Sequence, residues 1–108
     1  MSPVTPSVTV YVPGDSAARS VGADDVAEAV LRAGARVGQP VHLVRNGTRG
    51  MLWLEPLVEV VTPEGRIGYG PLEAADVDGL VDAGLFSGGE HPTRVGVVDD
   101  LPWMTSQD

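Results

Sequence analysis

The run from Leu57 to Tyr69 constrains this chain more than any other. Leu57-Val58-Glu59-Val60-Val61 and Arg66-Ile67-Gly68-Tyr69 are β-forming flanks on either side of Thr62-Pro63-Glu64-Gly65. Proline sets φ in such a turn and glycine supplies a positive φ, so the stretch is predicted to be a hairpin. A lone hairpin is marginal in water, so it needs further strands or helices to cover it.

The rest of the chain offers them. Val8-Thr9-Val10-Tyr11-Val12 alternates β-branched and apolar residues and stops at Pro13-Gly14, which reads as a first strand. A helix is expected from Ala23 or Asp24, with an apolar stripe of Val26, Val30, Leu31 and Val37 and an end frayed by Gly34 and Gly38. On its wet face Glu28 and Arg32 stand four apart, a pairing worth about 0.3 kcal/mol. Val41-His42-Leu43-Val44 reads as a second strand, which completes a β-α-β unit. After the hairpin, Leu72 to Ala83 carries Val77, Leu80 and Val81 on one face, with acids early and Gly84 placed to end the helix. Arg94 to Val98 is either a short strand or an extended docking segment.

The order β-α-β-β-β-α gives an α/β or α+β domain with a mixed sheet. Residues 1–7 read as a flexible leader, 8–98 as the domain, and 99–108 as a linker. At 108 residues one core is expected, burying roughly 65% of the unfolded surface. With 43% apolar residues but only five aromatics, that core is built mainly from Val, Leu and Ala.

The net charge of -8 repels phosphate backbones and anionic lipid, so neither nucleic acid nor membrane is expected as a partner. All seven cations are arginine. No run approaches the ~18 apolar residues of a membrane span, and residues 1–6 lack signal-peptide character, so the expected compartment is the cytoplasm. The absence of cysteine excludes disulfides, thiolate-held zinc and cysteine-held iron-sulfur clusters within this chain, and thioredoxin-type redox chemistry with them.

The loop Arg45-Asn46-Gly47-Thr48-Arg49-Gly50-Met51-Leu52-Trp53-Leu54-Glu55-Pro56 joins polar loop chemistry to a Trp-Leu-Glu-Pro run ahead of the hairpin. With Leu57 to Pro71 it resembles the N-terminal domain of the beta (diaphorase) subunit of NAD-dependent formate dehydrogenases. That domain is similar to a thioredoxin-like [2Fe-2S] ferredoxin. The resemblance runs from Val8 to the Leu101-Pro102 segment and selects the thioredoxin-like fold, a mixed sheet with helices packed on it.

The resemblance also implies where four cluster-ligating thiolates belong, and those places hold Gly14, Val21, Arg45 and Arg49. Iron in such a centre needs soft anionic sulfur, which glycine, valine and a guanidinium do not supply. The domain is therefore expected to hold no cofactor and, alone, to catalyse nothing. The parent subunit implied by the resemblance continues into a region that binds FMN, NAD and a [4Fe-4S] cluster, and it works with the other dehydrogenase subunits. Residues 99–108 would then lead toward that flavin/NAD-binding region. Related diaphorase modules serve hydrogenases and NADH-quinone oxidoreductases. An independent binding or assembly protein of a redox complex is the alternative, and an enzyme with a site in the Gly14 to Gly22 loop is a further rival.

Arg45 and Arg49 have two readings: a clamp for an anion, foremost a carboxylate of an adjoining domain, or braces of their own acidic domain. No GxxxxGK or GxGxxG pattern supports a phosphate. Trp53 is either a core residue or a partner contact, and Trp103 is read as an interdomain contact. Glu55-Pro56 stands where thioredoxin-like folds often carry a cis proline. His42 and His91 share no metal-ligand spacing, and Ser16 and Ser20 lack an acyl-transfer signature.

Overall fold

A computed structural model describes residues 6–15, 18, 21–47 and 55–98. Five strands form one sheet: β1 (Val8–Pro13), β2 (Val41–Asn46), β3 (Val58–Thr62), β4 (Gly65–Tyr69) and β5 (Arg94–Val97), in the spatial order β2-β1-β3-β4-β5. β1 and β2 are parallel, as a β-α-β connection requires, and every other pair is antiparallel. The sheet is mixed, as expected for the β-α-β unit followed by a hairpin.

The hairpin forms where expected, with Thr62 opposite Gly65 and Gly65 at φ 120°. Thr62 Oγ1 donates to Gly65 O at 2.9 Å and accepts from Glu64 N–H at 3.2 Å, so the turn's polar groups are satisfied locally. Arg94 to Val97 is a strand and not a detached segment, paired antiparallel to β4 with a register irregularity at Gly68/Tyr69. The bonds Glu55–Pro56 and Gly70–Pro71 are both cis, the second without a signal in the sequence reading.

Helix α1 (Ala23–Val37) covers one sheet face, but its buried side differs from the expected stripe. Val26 and Val30 are fully buried, whereas Leu31 and Val37 are 44% and 46% exposed. The 3.6-residue period running from Val26 and Val30 brings Ala33 and Gly34 inward, so small residues do the packing and the larger ones face outward. Gly34 does not fray the helix. A Cβ there would lie 2.7 Å from Val41 Cγ2 and 2.9 Å from Gln39 O, so glycine is what lets α1 turn directly into β2. The helix ends at Gly38, with Gly38 N–H donating to Ala35 O and Gln39 N–H to Gly34 O in a Schellman pattern.

The predicted second helix is two pieces. A 3-10 turn (Ala74–Asp76) precedes α2 (Val77–Asp82), and a further 3-10 turn (Leu85–Ser87) follows Gly84. A capping box between Glu73 and Asp76 organises this start: Glu73 N–H donates to Asp76 Oδ2 at 2.9 Å, and the Glu73 carboxylate accepts from Asp76 N–H. Val77, Leu80 and Val81 are buried as expected. They join Val10, Val12, Val58, Val60, Ile67 and Tyr69 of the sheet and Val26 and Val30 of α1 in one core. Tyr69 satisfies its buried hydroxyl by donating to Gly89 O at 2.6 Å.

The other sheet face carries a polar group. Tyr11 opposes Glu59 across β1 and β3, Arg66 stands 3.9 Å over the Tyr11 ring, and Arg66 Nη1 reaches Glu59 Oε1 at 3.5 Å. Glu59 is 2% exposed, so its carboxyl group is met by protein partners and not by water.

Candidate functional site

The parallel pairing of β1 and β2 brings two of the inferred ligand positions side by side. Pro13 is in register with Asn46, Val12 with Arg45, and Gly14 N–H donates to Asn46 O at 2.7 Å just past the ladder. A Cβ on Gly14 would sit 3.0 Å from Arg45 Cβ, 3.4 Å from Nε and 3.7 Å from Cζ. The volume that a side chain at position 14 would use is taken by the Arg45 stem.

Arg45 turns its guanidinium back over the end of β1. Nε donates to Val12 O at 3.1 Å and Nη2 to Pro13 O at 2.8 Å, while Nη2 also meets Asp24 Oδ1 at 2.7 Å. One planar fork thus ties the end of β1 to the first turn of α1, a geometry that an ammonium group does not reproduce. Asp24 also stands at a helix N-terminus, where a negative charge is favoured by the helix dipole. The anion that Arg45 holds is a carboxylate of its own domain, and Asp24 is the site residue that sequence reasoning did not single out. Asn46 Oδ1 lies beside this junction, buried and without a hydrogen-bond partner among the described residues.

Val21, the third inferred position, is 50% exposed and stands one residue before Gly22, the left-handed residue that starts α1. Arg49, Trp53 and Trp103 lie outside the described residues. Gly14, Val21 and Arg45 present no anionic sulfur, a hydrogen, an isopropyl group and a cation respectively, so these positions do not fit an iron-sulfur cluster.

Val21 instead lines a cleft of about 300 Å³ with Pro56, Pro71, Leu72, Glu73 and Asp76, and buried Glu55 lies in its wall with Oε1 accepting from Leu57 N–H at 3.1 Å. A second cleft of about 350 Å³ lies between α1 and α2, lined by Ala29, Arg32, Arg36, Ala74 and Asp78. There Arg36 contacts Asp78 at 3.4 Å and Asp82 at 3.1 Å, and the hydrogen bond to Asp82 raises its pKa further above the usual guanidinium value. The expected Glu28–Arg32 pair forms at 3.7 Å on the exposed face.

The histidines take structural roles or face solvent. His91 Nδ1 contacts Thr93 Oγ1 at 2.8 Å and accepts from Thr93 N–H at 3.2 Å within a turn, and His42 is exposed on β2. Among the described residues no three His, Cys, Asp or Glu side chains gather as metal ligands, and no helix is long and apolar enough to cross a membrane.

No protein-family model matches the chain, and neither does any curated protein sequence. Among solved structures it is similar to the thioredoxin-like [2Fe-2S] ferredoxin from Aquifex aeolicus, with a TM-score of 0.65 at 19% identity over 82% of this chain and 96% of that one. A cysteine-to-serine variant of the same ferredoxin matches with a TM-score of 0.62 at 20% identity over 82% and 98%. At this identity the likeness establishes the fold: the chain folds as thioredoxin-like [2Fe-2S] ferredoxins do.

Proposed function

We propose that this chain is a non-catalytic docking domain of a redox complex, a ferredoxin fold in which the ligand-bearing corner has become structural. The observation that carries this reading is Arg45. It fills the space beside Gly14 and directs its guanidinium to Val12 O, Pro13 O and Asp24, so a position read as a former thiolate now braces the scaffold. A domain that keeps the fold but has no electron-carrying donor set retains one use in such a complex, which is to hold other parts together.

The Arg45 to Pro71 resemblance supports an NAD-dependent formate dehydrogenase beta subunit as the parent. In that reading the partners are the subunit's own flavin/NAD-binding region and the other dehydrogenase subunits. FMN, NAD and the [4Fe-4S] cluster belong to that region and none to this domain, and the complex is cytoplasmic. An independent assembly protein of a redox complex is the second reading.

The test is to isolate the protein anaerobically from its source cells with an antibody against the domain. Intact mass, flavin, iron and formate-dependent NAD reduction are then measured together. A polypeptide several times larger than 11.2 kDa that carries flavin and reduces NAD with formate supports the parent subunit. A chain of 11.2 kDa in complex with flavin- and iron-containing subunits supports the assembly protein. Iron and acid-labile sulfide on the isolated 108-residue chain, or no redox partner at all, overturns the docking reading.

A further inference from the structure

The two clefts differ in how their charges are used. In the groove between α1 and α2, Arg36 is matched by Asp78 and Asp82, and Arg32 by Glu28. In the cleft beside Val21 the described lining holds carboxylates and no cation. Glu55 is buried and engaged. Glu73 and Asp76 are exposed, and each carboxylate accepts one backbone N–H in the capping box. A carboxylate offers about four acceptor directions, so both keep capacity facing solvent. Among the described residues no arginine lies within ion-pair distance of either one.

The remaining walls are apolar: half-exposed Val21, Pro56, Pro71 and Leu72. A bare divalent cation would leave these walls uncovered and lacks a ligand set here. An anion is repelled by the lining and by the net charge of -8. The occupant that matches both halves has a methylene stem ending in a cation. Of the two such side chains, a guanidinium stacks flat on apolar walls and bonds two carboxylates at once.

We propose that this cleft is the docking site for an arginine side chain of a partner polypeptide. The proposal rests on the docking reading above and names the surface through which it acts. The stem lies against Val21, Pro56, Pro71 and Leu72, and the guanidinium meets Glu73 and Asp76 at the rim.

The test is a nitrogen-15 NMR titration of the 108-residue protein with N-acetyl-leucyl-arginine amide. The citrulline counterpart, of the same shape without the charge, is the control. The expected result is amide shifts confined to Val21, Leu72, Glu73 and Asp76, with affinity about 10-fold weaker for citrulline and for the double variant Glu73→Gln/Asp76→Asn. Both substitutions keep a carbonyl oxygen for the capping bonds, so the fold is expected to persist, and the variant's unchanged spectrum elsewhere checks that. Equal shifts with citrulline, shifts spread over carboxylates outside the cleft, the same response to calcium chloride, or no response at millimolar peptide would each overturn the proposal. The titration reports on the cleft alone and the isolation from source cells on docking, so the two readings fail separately.

Discussion

Two polar regions meet at the start of α1, and they use charge in opposite ways. On one side Arg45 is consumed internally: two carbonyls at the end of β1 and the Asp24 carboxylate take its donors. On the other, Val21 opens a cleft whose rim carboxylates, Glu73 and Asp76, meet only backbone N–H groups among the described contacts. Charge that is matched within a domain stabilises it and is withdrawn from recognition. Charge left at a half-apolar rim adds little stability and remains available to a partner. The comparison therefore predicts large stability effects at Arg45 and small ones at the cleft.

The largest expected effect is that of Arg45→Leu. It removes a partly exposed ion pair and two charge-assisted bonds, one of them to Pro13 O just at the end of the ladder, a cost of about 2 kcal/mol after discounting for solvent. Urea unfolding of this variant and of Asp24→Asn, with the double variant, measures it. A loss below about 0.5 kcal/mol for Arg45→Leu would remove the brace from the argument. Gly14→Ala comes next. Its Cβ would press on Arg45 Cβ at 3.0 Å, and the expected cost is about 1 kcal/mol because the neighbour is backbone-anchored and has little room to give. The same urea series reads it, and a stabilising outcome would show that the corner is looser than its contacts suggest.

This contrast also marks what was legible in the sequence. β1, β2 and the hairpin announced themselves through local period and turn chemistry, and the parallel pairing of β1 with β2 follows from the helix between them. The buried face of α1 was misread because Leu31 and Val37 outweigh Ala33 and Gly34 in hydrophobicity, while the close approach of Gly34 to Val41 and Gln39 selects for size. The pairing of β5 was not legible, because a four-residue strand carries too little pattern to name its neighbour. Arg45 was singled out from its loop, but Asp24 is 21 residues away and only the folded chain joins them. The cleft draws on Val21, Pro56, Pro71, Leu72 and the capping box, segments far apart in sequence with no shared local signal.

Tyr69 offers a probe of the internally matched kind away from both regions. Its hydroxyl is buried and donates to Gly89 O, and desolvation raises its pKa above the usual value, with Arg94 opposing part of that rise. The folded state therefore holds the phenolic proton more tightly than the unfolded state does. The stability this contributes is fully present below the unfolded pKa of about 10 and is lost as pH rises through the folded value. Urea midpoints are expected to fall above about pH 10 in the parent protein. Tyr69→Phe should cost about 1 kcal/mol at pH 7 through the lost hydrogen bond and show a shallower alkaline decline. An unchanged alkaline decline in Tyr69→Phe would assign it to other groups.

The smallest expected stability effect is the most informative about the cleft. Glu73→Gln/Asp76→Asn removes two negative charges that have no described ionic partner, and each replacement keeps an oxygen to accept the capping N–H. Charge at this short N-terminal turn is favourable by a few tenths of a kcal/mol through the helix dipole. Removing it also relieves repulsion in a chain of net charge -8. The two terms have opposite signs, so the double variant should unfold within about 0.5 kcal/mol of the parent at low salt. A loss of about 2 kcal/mol instead would mean that these carboxylates are already matched within the fold, like Arg45, and would erase the distinction between the two regions. A near-zero change, together with the loss of arginine-peptide binding, would show that one side of α1 has its charge committed to folding and the other to recognition.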